Sequence, residues 1–317
     1  RINQDDWEMK ITKPKFSTKK NNIISYLLLP FSFVLQLLII IKNKITYRHS
    51  FKIPIICVGN IYLGGTGKTP LSILIAQELL KNNKKPAIIK KYYREHFDEH
   101  NLIRASIENL FLEKHRYIAM RKAEEKQFDI AILDDGFQDF SIKTNLNILC
   151  FNSNQLIGNG FTLPSGPLRE RINSIKRANV IVIIGDKNEE FEKIVFNVKK
   201  KVKIYYSKYS PTNINEFKDK KLFAFAGIGN PKNFFQLLTE NKLDVQKEIS
   251  YPDHYSFSKV EIEKLVQNSR KNEFQLITTE KDYFRIKNYG FNEIKYIKHD
   301  LIINNKKEFI NQILDLL

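Results

Sequence analysis

An α/β fold is what this sequence predicts: an open sheet carrying a phosphate-binding loop, a second and smaller α/β unit, and a membrane-associating helix at the N-terminal end. Three stretches carry that expectation. The first is an apolar run, IPIICV, followed by GNIYLGGTGKTP and then LSILIAQELLKNN, which read as strand, glycine-rich turn and helix. The second is FDIAILDDGFQD, an apolar strand ending on two aspartates. The third is the run from Ile23 to Ile41, which contains no charged residue.

In chain order, residues 1–22 are polar and basic and hold the single tryptophan, Trp7. The run Ile23–Ile41 follows, closed by the basic stretch KNKITYRHSFK. At about 1.5 Å per residue such a helix covers roughly 28 Å, close to the hydrocarbon thickness of a bilayer. Pro30 and Gln36 interrupt it and no small-residue cleavage site follows, which argues against a removable signal peptide. Three readings stand: a single span, an interfacial helix in one leaflet, or a buried core helix. Length without charge favours membrane attachment, and the basic flank favours a catalytic body on the cytoplasmic side. Residues 1–46 are therefore set apart as a membrane-associated segment.

The glycine-rich turn opens a nucleotide domain expected over residues 47–204. Backbone N–H groups of Gly64, Gly65 and Gly67 can close on phosphate oxygens because no Cβ intervenes, and the helix behind them turns its positive end to the same anion. Lys68 is placed to reach the β- and γ-phosphates and Thr69 to offer its hydroxyl to Mg²⁺. Tyr62, Leu63 and Thr66 complete the nucleotide-binding loop. Tyr62 stands where the common G-x-x-x-x-G-K-S/T pattern has its first glycine, so the match is to the G-K-T end. A plain turn is the bland alternative; its place between strand and helix argues for a nucleoside-triphosphate site.

PAIIKK reads as the next strand, and Lys91 to Gln127 as mostly helical. The strand closed by Asp134 and Asp135 then has the form of a Walker B element, with carboxylates at a strand's C-terminal edge beside the bound Mg²⁺. LNILCF and ANVIVIIG are two further strands, separated by NGFTLPSGPLRERINSIKRA. In that loop Arg169, Glu170 and Arg171 are either solvated charges at a helix start, or Arg169 clamps a phosphate while Glu170 binds metal or substrate. Residues 186–220, including KIYYSKYSP, read as a linker or hinge, so the C-terminal unit is expected over 205–317. Its KLFAFAGIGNP turn lacks the third glycine and the downstream acid of a dinucleotide site. His254, beside Asp253 in YPDHYSFS, is an ordinary loop residue or a catalytic one; the proline-turn setting favours function.

Composition narrows the partners. The formal charge of +17 suits nucleic acid or an anionic membrane surface, but the lysines are scattered among asparagine and isoleucine without zinc-finger spacing or an RNA-binding aromatic motif. Nucleic acid is accordingly not expected, and no obligate protein partner is inferred. Cys57 and Cys150 lie in apolar strand-like runs and read as reduced core thiols.

The ordered set VGN…GGTGKTP, ILDDGFQ, GNG…LPSGPLRE, GIGNP, PDHYSFS and TTEKD, behind an uncharged helix with a basic end, resembles the tetraacyldisaccharide 4'-kinase family, the lipid A 4'-kinases, from about Ile24 to Asp282. The resemblance implies a phosphate-loop NTPase-like fold with a smaller domain closing over the nucleotide. It implies transfer of the ATP γ-phosphate to the 4'-hydroxyl of a tetraacylated disaccharide 1-phosphate, with Mg²⁺, at the cytoplasmic face of the bacterial inner membrane. Carried over residue by residue, Lys68 and Thr69 match the phosphate-loop pair, Asp134 and Asp135 the acidic pair near the metal, Arg169 and Glu170 the end of P-L-R-E, and His254 the histidine of P-D-H. The aspartate working with that histidine sits in a G-D-E-P motif, whose nearest match is Asp98 in FDEH; Arg116 resembles the arginine of V-x-x-x-R. After the second strand the family's serine-arginine-glycine-tyrosine-glycine turn is replaced by KKYYREHFDEH. Two further readings remain, a membrane-bound regulatory ATPase and a homologue that only binds nucleotide.

Overall fold

A computed structural model of the chain describes residues 22–93, 97–253 and 255–315, without the side chains of residues 97 and 98. The apolar N-terminal run forms two helices, α1 (Ile23–Leu27) and α2 (Leu29–Ile45), with Pro30 in the first turn of α2, where its missing N–H costs nothing. Strand β1 (Ile55–Gly59) leads into α3 (Lys68–Lys81), and β2 (Pro86–Lys91) into α4 (Phe97–Ser106). Then follow β3 (Leu110–Glu113), α5 (Arg116–Glu125), β4 (Ile130–Asp134), β5 (Leu146–Asn152), β6 (Val180–Ile184), α6 (Glu189–Val198) and β7 (Lys203–Pro211). A second set comprises β8 (Lys221–Ala226), α7 (Pro231–Glu240), β9 (Asp244–Ser250), α8 (Lys259–Lys271), β10 (Gln275–Thr279), α9 (Glu280–Ile286) and β11 (Lys295–Ile297). The chain closes with β12 (His299–Ile303) and α10 (Lys306–Asp315).

The large sheet runs β12-β7-β6-β5-β1-β4-β2-β3, parallel throughout except for the antiparallel edge pair β12–β7. β1 lies between β4 and β5, so its C-terminal end opens at the point where the strand order reverses, the place where ligands enter open α/β sheets. Every residue of β1 and β4 is buried, as expected of strands covered on both faces. Alternation divides the apolar residues between two cores: Ile56 and Val58 face Leu71, Ile75 and Phe309, while Ile55 and Cys57 face Met120, Phe128 and Phe191. Cys57 and Cys150 are buried free thiols. The small sheet, β11-β10-β8-β9, is parallel and is covered on one face by α7 and on the other by α8.

Two sequence expectations are corrected. Lys203–Pro211, read as linker, is a central strand: Tyr205 and Ser207 point into the core while β6 and β12 supply its backbone partners. After the small sheet the chain returns, and β12 and α10 complete the large unit, so the smaller unit is an insertion between β7 and β12 rather than everything from residue 205 onward. The N-terminal helices also do not form a buried core helix, since Phe31 is 63% and Leu38 55% exposed. No helix among the described residues is long and apolar enough to cross a membrane.

Candidate active site

The glycine-rich turn leaves β1 under tight steric control. A Cβ on Gly59 would lie 2.4 Å from Phe137 Cβ, so the turn after β4 packs directly under the start of the loop. Gly67 has φ +84°, and a Cβ there would meet Ile184 Cδ1 at 2.0 Å, two independent reasons for glycine. Nothing lies within 4 Å of a Cβ built on Gly65, which leaves that face of the loop open to a ligand. Asn60 Nδ2 donates to Thr66 Oγ1 at 2.9 Å and to the Gly64 carbonyl at 3.3 Å, holding the loop in shape. α3 begins at Lys68 without a side-chain cap, so its first N–H groups and positive end are available to an anion.

The LPSGPLRE segment runs alongside. Leu63 N–H donates to the Pro167 carbonyl at 2.8 Å and Arg169 N–H to the Ile61 carbonyl at 2.7 Å. These bonds set Arg169 beside the loop. Tyr62, expected among the nucleotide-binding residues, has its side chain buried in the core and faces Leu168 through an isolated bridge; it supports the loop from below.

Asp134, at the end of β4, is wholly buried and accepts hydrogen bonds from Thr69 Oγ1 (2.9 Å), Ser72 Oγ (3.1 Å) and Lys90 Nζ (2.5 Å). Asp135 adopts φ +57°, which swings its carboxylate away from the strand line toward Lys68 Nζ (3.6 Å) and Arg169 Nη1 (3.0 Å). Burial alone would raise the Asp135 pKa, but Lys68, Arg169, Arg116 and Lys90 outweigh it and hold the carboxyl at about 2. It is therefore ionised at every pH where the protein works, and two cations converge on it beside the loop.

Two expected ligands are placed differently. Glu170 is 7% exposed and engaged by Arg177 Nη2 (2.5 Å) and Gln138 Nε2 (3.0 Å), and Gln138 in turn links it to Arg169 of the Asp135–Arg169 pair. Arg116, expected to touch substrate, is 8% exposed and spends its Nη2 on the carbonyls of Asp135 (2.8 Å) and Asp134 (3.4 Å) and its Nη1 on Asp139 (3.1 Å). It braces the strand-end turn from within. The side chain of Asp98, on the first turn of α4, and the whole of His254 lie outside the described residues. Three residues that the sequence reading passed over belong to the site. Gln138 ties Asn60, Glu170 and Arg169 together. Ser72 lies one turn beyond Thr69, and Lys90 stands opposite Asp134 in the β2–β4 register. The position of Lys90 at the strand's C-terminal end was the available signal.

Among the described residues no group of three or more His, Cys, Asp and Glu side chains could cage a metal ion. A phosphate-loop magnesium needs no cage, because phosphate oxygens and water supply most of its octahedron. The Thr69 hydroxyl and Asp134 carboxylate, 2.9 Å apart beside the loop, fit that requirement.

Residues 24–317 match the family model described as tetraacyldisaccharide-1-P 4'-kinase, LpxK. The chain belongs to this family. Among its relatives, a tetraacyldisaccharide 4'-kinase of Pelagibacter ubique is 45% identical over 97% of this chain and 99% of its own length, and one of Rickettsia akari 31% identical over 94% and 95%. In fold it is similar to the crystal structure of LpxK from Aquifex aeolicus in complex with ATP, with a TM-score of 0.74 and 23% identity over 93% of this chain and 99% of that one. In this family member the open loop, Lys68, Arg169 and the Thr69–Asp134 pair gather at the C-terminal ends of β1 and β4.

Proposed function

We propose that this chain transfers the γ-phosphate of ATP to the 4'-hydroxyl of a tetraacyldisaccharide 1-phosphate, the lipid A precursor. The observation that carries the reading is the convergence of Lys68 and Arg169 on the Asp135 carboxylate at the mouth of the phosphate loop. A triphosphate entering the loop meets two cations already aimed at the position of its terminal group, where charge spreads over the transferring oxygens in the transition state. Thr69 and Asp134 would hold Mg²⁺, which when bound supplies neutralising charge to the β- and γ-phosphates. The new bond joins the 4'-oxygen to the γ-phosphorus, the bond from that phosphorus to the β,γ-bridging oxygen breaks, and ADP departs. The hydroxyl proton needs an acceptor, and Asp98 with His254 is the pair that the family resemblance offers.

The substrate's acyl chains place the reaction at a bilayer, since each exposed CH₂ costs about 0.8 kcal/mol. α1 and α2 support a membrane surface as partner. They pack on the body through their polar residues: Ser32 Oγ donates to the Thr162 carbonyl at 2.9 Å, Asn159 Nδ2 donates to Ser25 Oγ at 3.1 Å, and Gln36 Nε2 donates to the Arg169 carbonyl at 3.2 Å. Most of the apolar residues point outward, a reversed amphipathicity that water disfavours and a leaflet accommodates. The cytoplasmic face of the inner membrane, where ATP and the basic flank of the helix meet anionic lipid, is the proposed location. Incubation of the purified chain with ATP, Mg²⁺ and the disaccharide lipid should add one phosphate to the lipid by mass spectrometry. ATP hydrolysis with unmodified lipid would reject the assignment and favour a regulatory ATPase.

A further inference from the structure

Lys90 is a charged residue at the heart of the site that phosphoryl transfer, as derived above, does not use. It is the penultimate residue of β2 and is 4% exposed. Its ammonium lies 2.5 Å from Asp134 Oδ2, 3.3 Å from Thr69 Oγ1 and 2.9 Å from Glu99 Oε2. Asp134 Oδ2 and Thr69 Oγ1 are the very atoms suited to hold magnesium, and they lie 2.9 Å apart. A lysine ammonium therefore stands against the cation seat. Two carboxylates, Asp134 and Glu99, flank the ammonium.

We propose that Lys90 is the resident counter-ion of the metal seat: its ammonium holds Asp134 and Thr69 in place before a divalent cation arrives and has to yield Asp134 when one enters. Two cations at one carboxylate repel each other, so a free dication is disfavoured there. Metal arriving with a triphosphate brings its own negative charge and meets no such barrier. The seat thereby selects the metal–nucleotide complex over free metal. Glu99 is where the displaced ammonium remains anchored, and the other Glu99 oxygen accepts from Lys281 of α9 at 3.0 Å, so the same carboxylate ties the seat to the inserted unit.

Mn²⁺ binding to the full chain without nucleotide, followed by the loss of the free-ion electron paramagnetic resonance signal, reads this directly. Lys90→Met should bind Mn²⁺ about tenfold or more tightly than the unmodified chain, since one like charge has been removed from the seat. Glu99→Gln should bind it several-fold more weakly, because the ammonium then leans on Asp134 alone. With ATP present the differences should shrink. A merely structural lysine would lower the melting temperature and leave Mn²⁺ affinity unchanged, and Lys90→Met binding Mn²⁺ no more tightly overturns the proposal. Should that variant fail to fold, as removal of one buried ion partner can cause, Glu99→Gln decides: weaker binding supports the proposal and equal or tighter binding overturns it. No lipid acceptor enters the assay, so its outcome is independent of the substrate assigned above.

Discussion

At the scale of single residues, the site is a set of charges whose neighbours determine their roles. Asp134 and Asp135 are adjacent in sequence yet face opposite tasks. The first is buried under two hydroxyls and an ammonium, and the second, turned by its positive φ, gathers Lys68 and Arg169. Lys68→Ala removes the cation closest to the loop's phosphate position. Phosphorylation of the lipid is expected to fall by about 10²-fold or more, as for loss of one preorganised electrostatic contact. The side chain is only partly buried and its partner Asp135 keeps Arg169, so the circular dichroism spectrum and melting temperature should change little. Near-normal turnover by this variant would remove Lys68 from the role given to it.

At the scale of elements, α2 and α9 each show how packing reverses a simple reading. The buried residues of α2 are Ser32 and Gln36, while Phe31, Val34, Leu37 and Leu38 are exposed and Phe33 meets the body through the Arg171 guanidinium. Replacing Phe31 and Leu38 together by glutamate should leave the fold intact, since both side chains point outward, and should lower co-sedimentation with anionic vesicles several-fold or more. Unchanged sedimentation would count against the membrane face. On α9, burial, opposed by Lys298 and aided by Asp300, pushes the Glu280 carboxyl from 4.5 up to about 7. The folded chain therefore keeps a proton that the unfolded chain releases, so this group contributes stability at acid pH that is lost as pH rises from 4.5 to 7. Comparing melting temperatures across that window should show a decline in the unmodified chain that is flatter in Glu280→Gln; parallel curves would refute the assignment.

The whole molecule is an open sheet interrupted near its end by a second one. Because β12 and α10 return to the large unit, these two elements stabilise the nucleotide domain rather than the inserted one. Phe309 is completely buried against Tyr205, with ring centroids 5.1 Å apart, in the core shared with Leu71 and Ile75 of α3. Phe309→Ala should cost about 3–5 kcal/mol in denaturant unfolding, through lost burial and the cavity left behind. It should also weaken ATP binding, although the residue lies far along the chain from the loop. A variant unfolding like the unmodified protein would show that α10 is dispensable.

The sequence by itself determined the strand–loop–helix around Lys68 and the acidic end of β4, because glycine content, β-branched runs and helical spacing act over a few residues and fix the local backbone before any partner is chosen. It also located the loop that carries Arg169, whose turn residues mark a break between two strands. Tertiary structure alone decided the rest. Lys203–Pro211 reads as a charged linker until β6 and β12 flank it, and β3 is a short edge strand whose pairing with β2 no local pattern encodes. The same holds for Lys90, Gln138 and Arg116: their roles follow from which oxygens come within about 3 Å once separate strands align. Local pattern selects an element, but only chain folding brings a cation and a carboxylate from different strands to the same point.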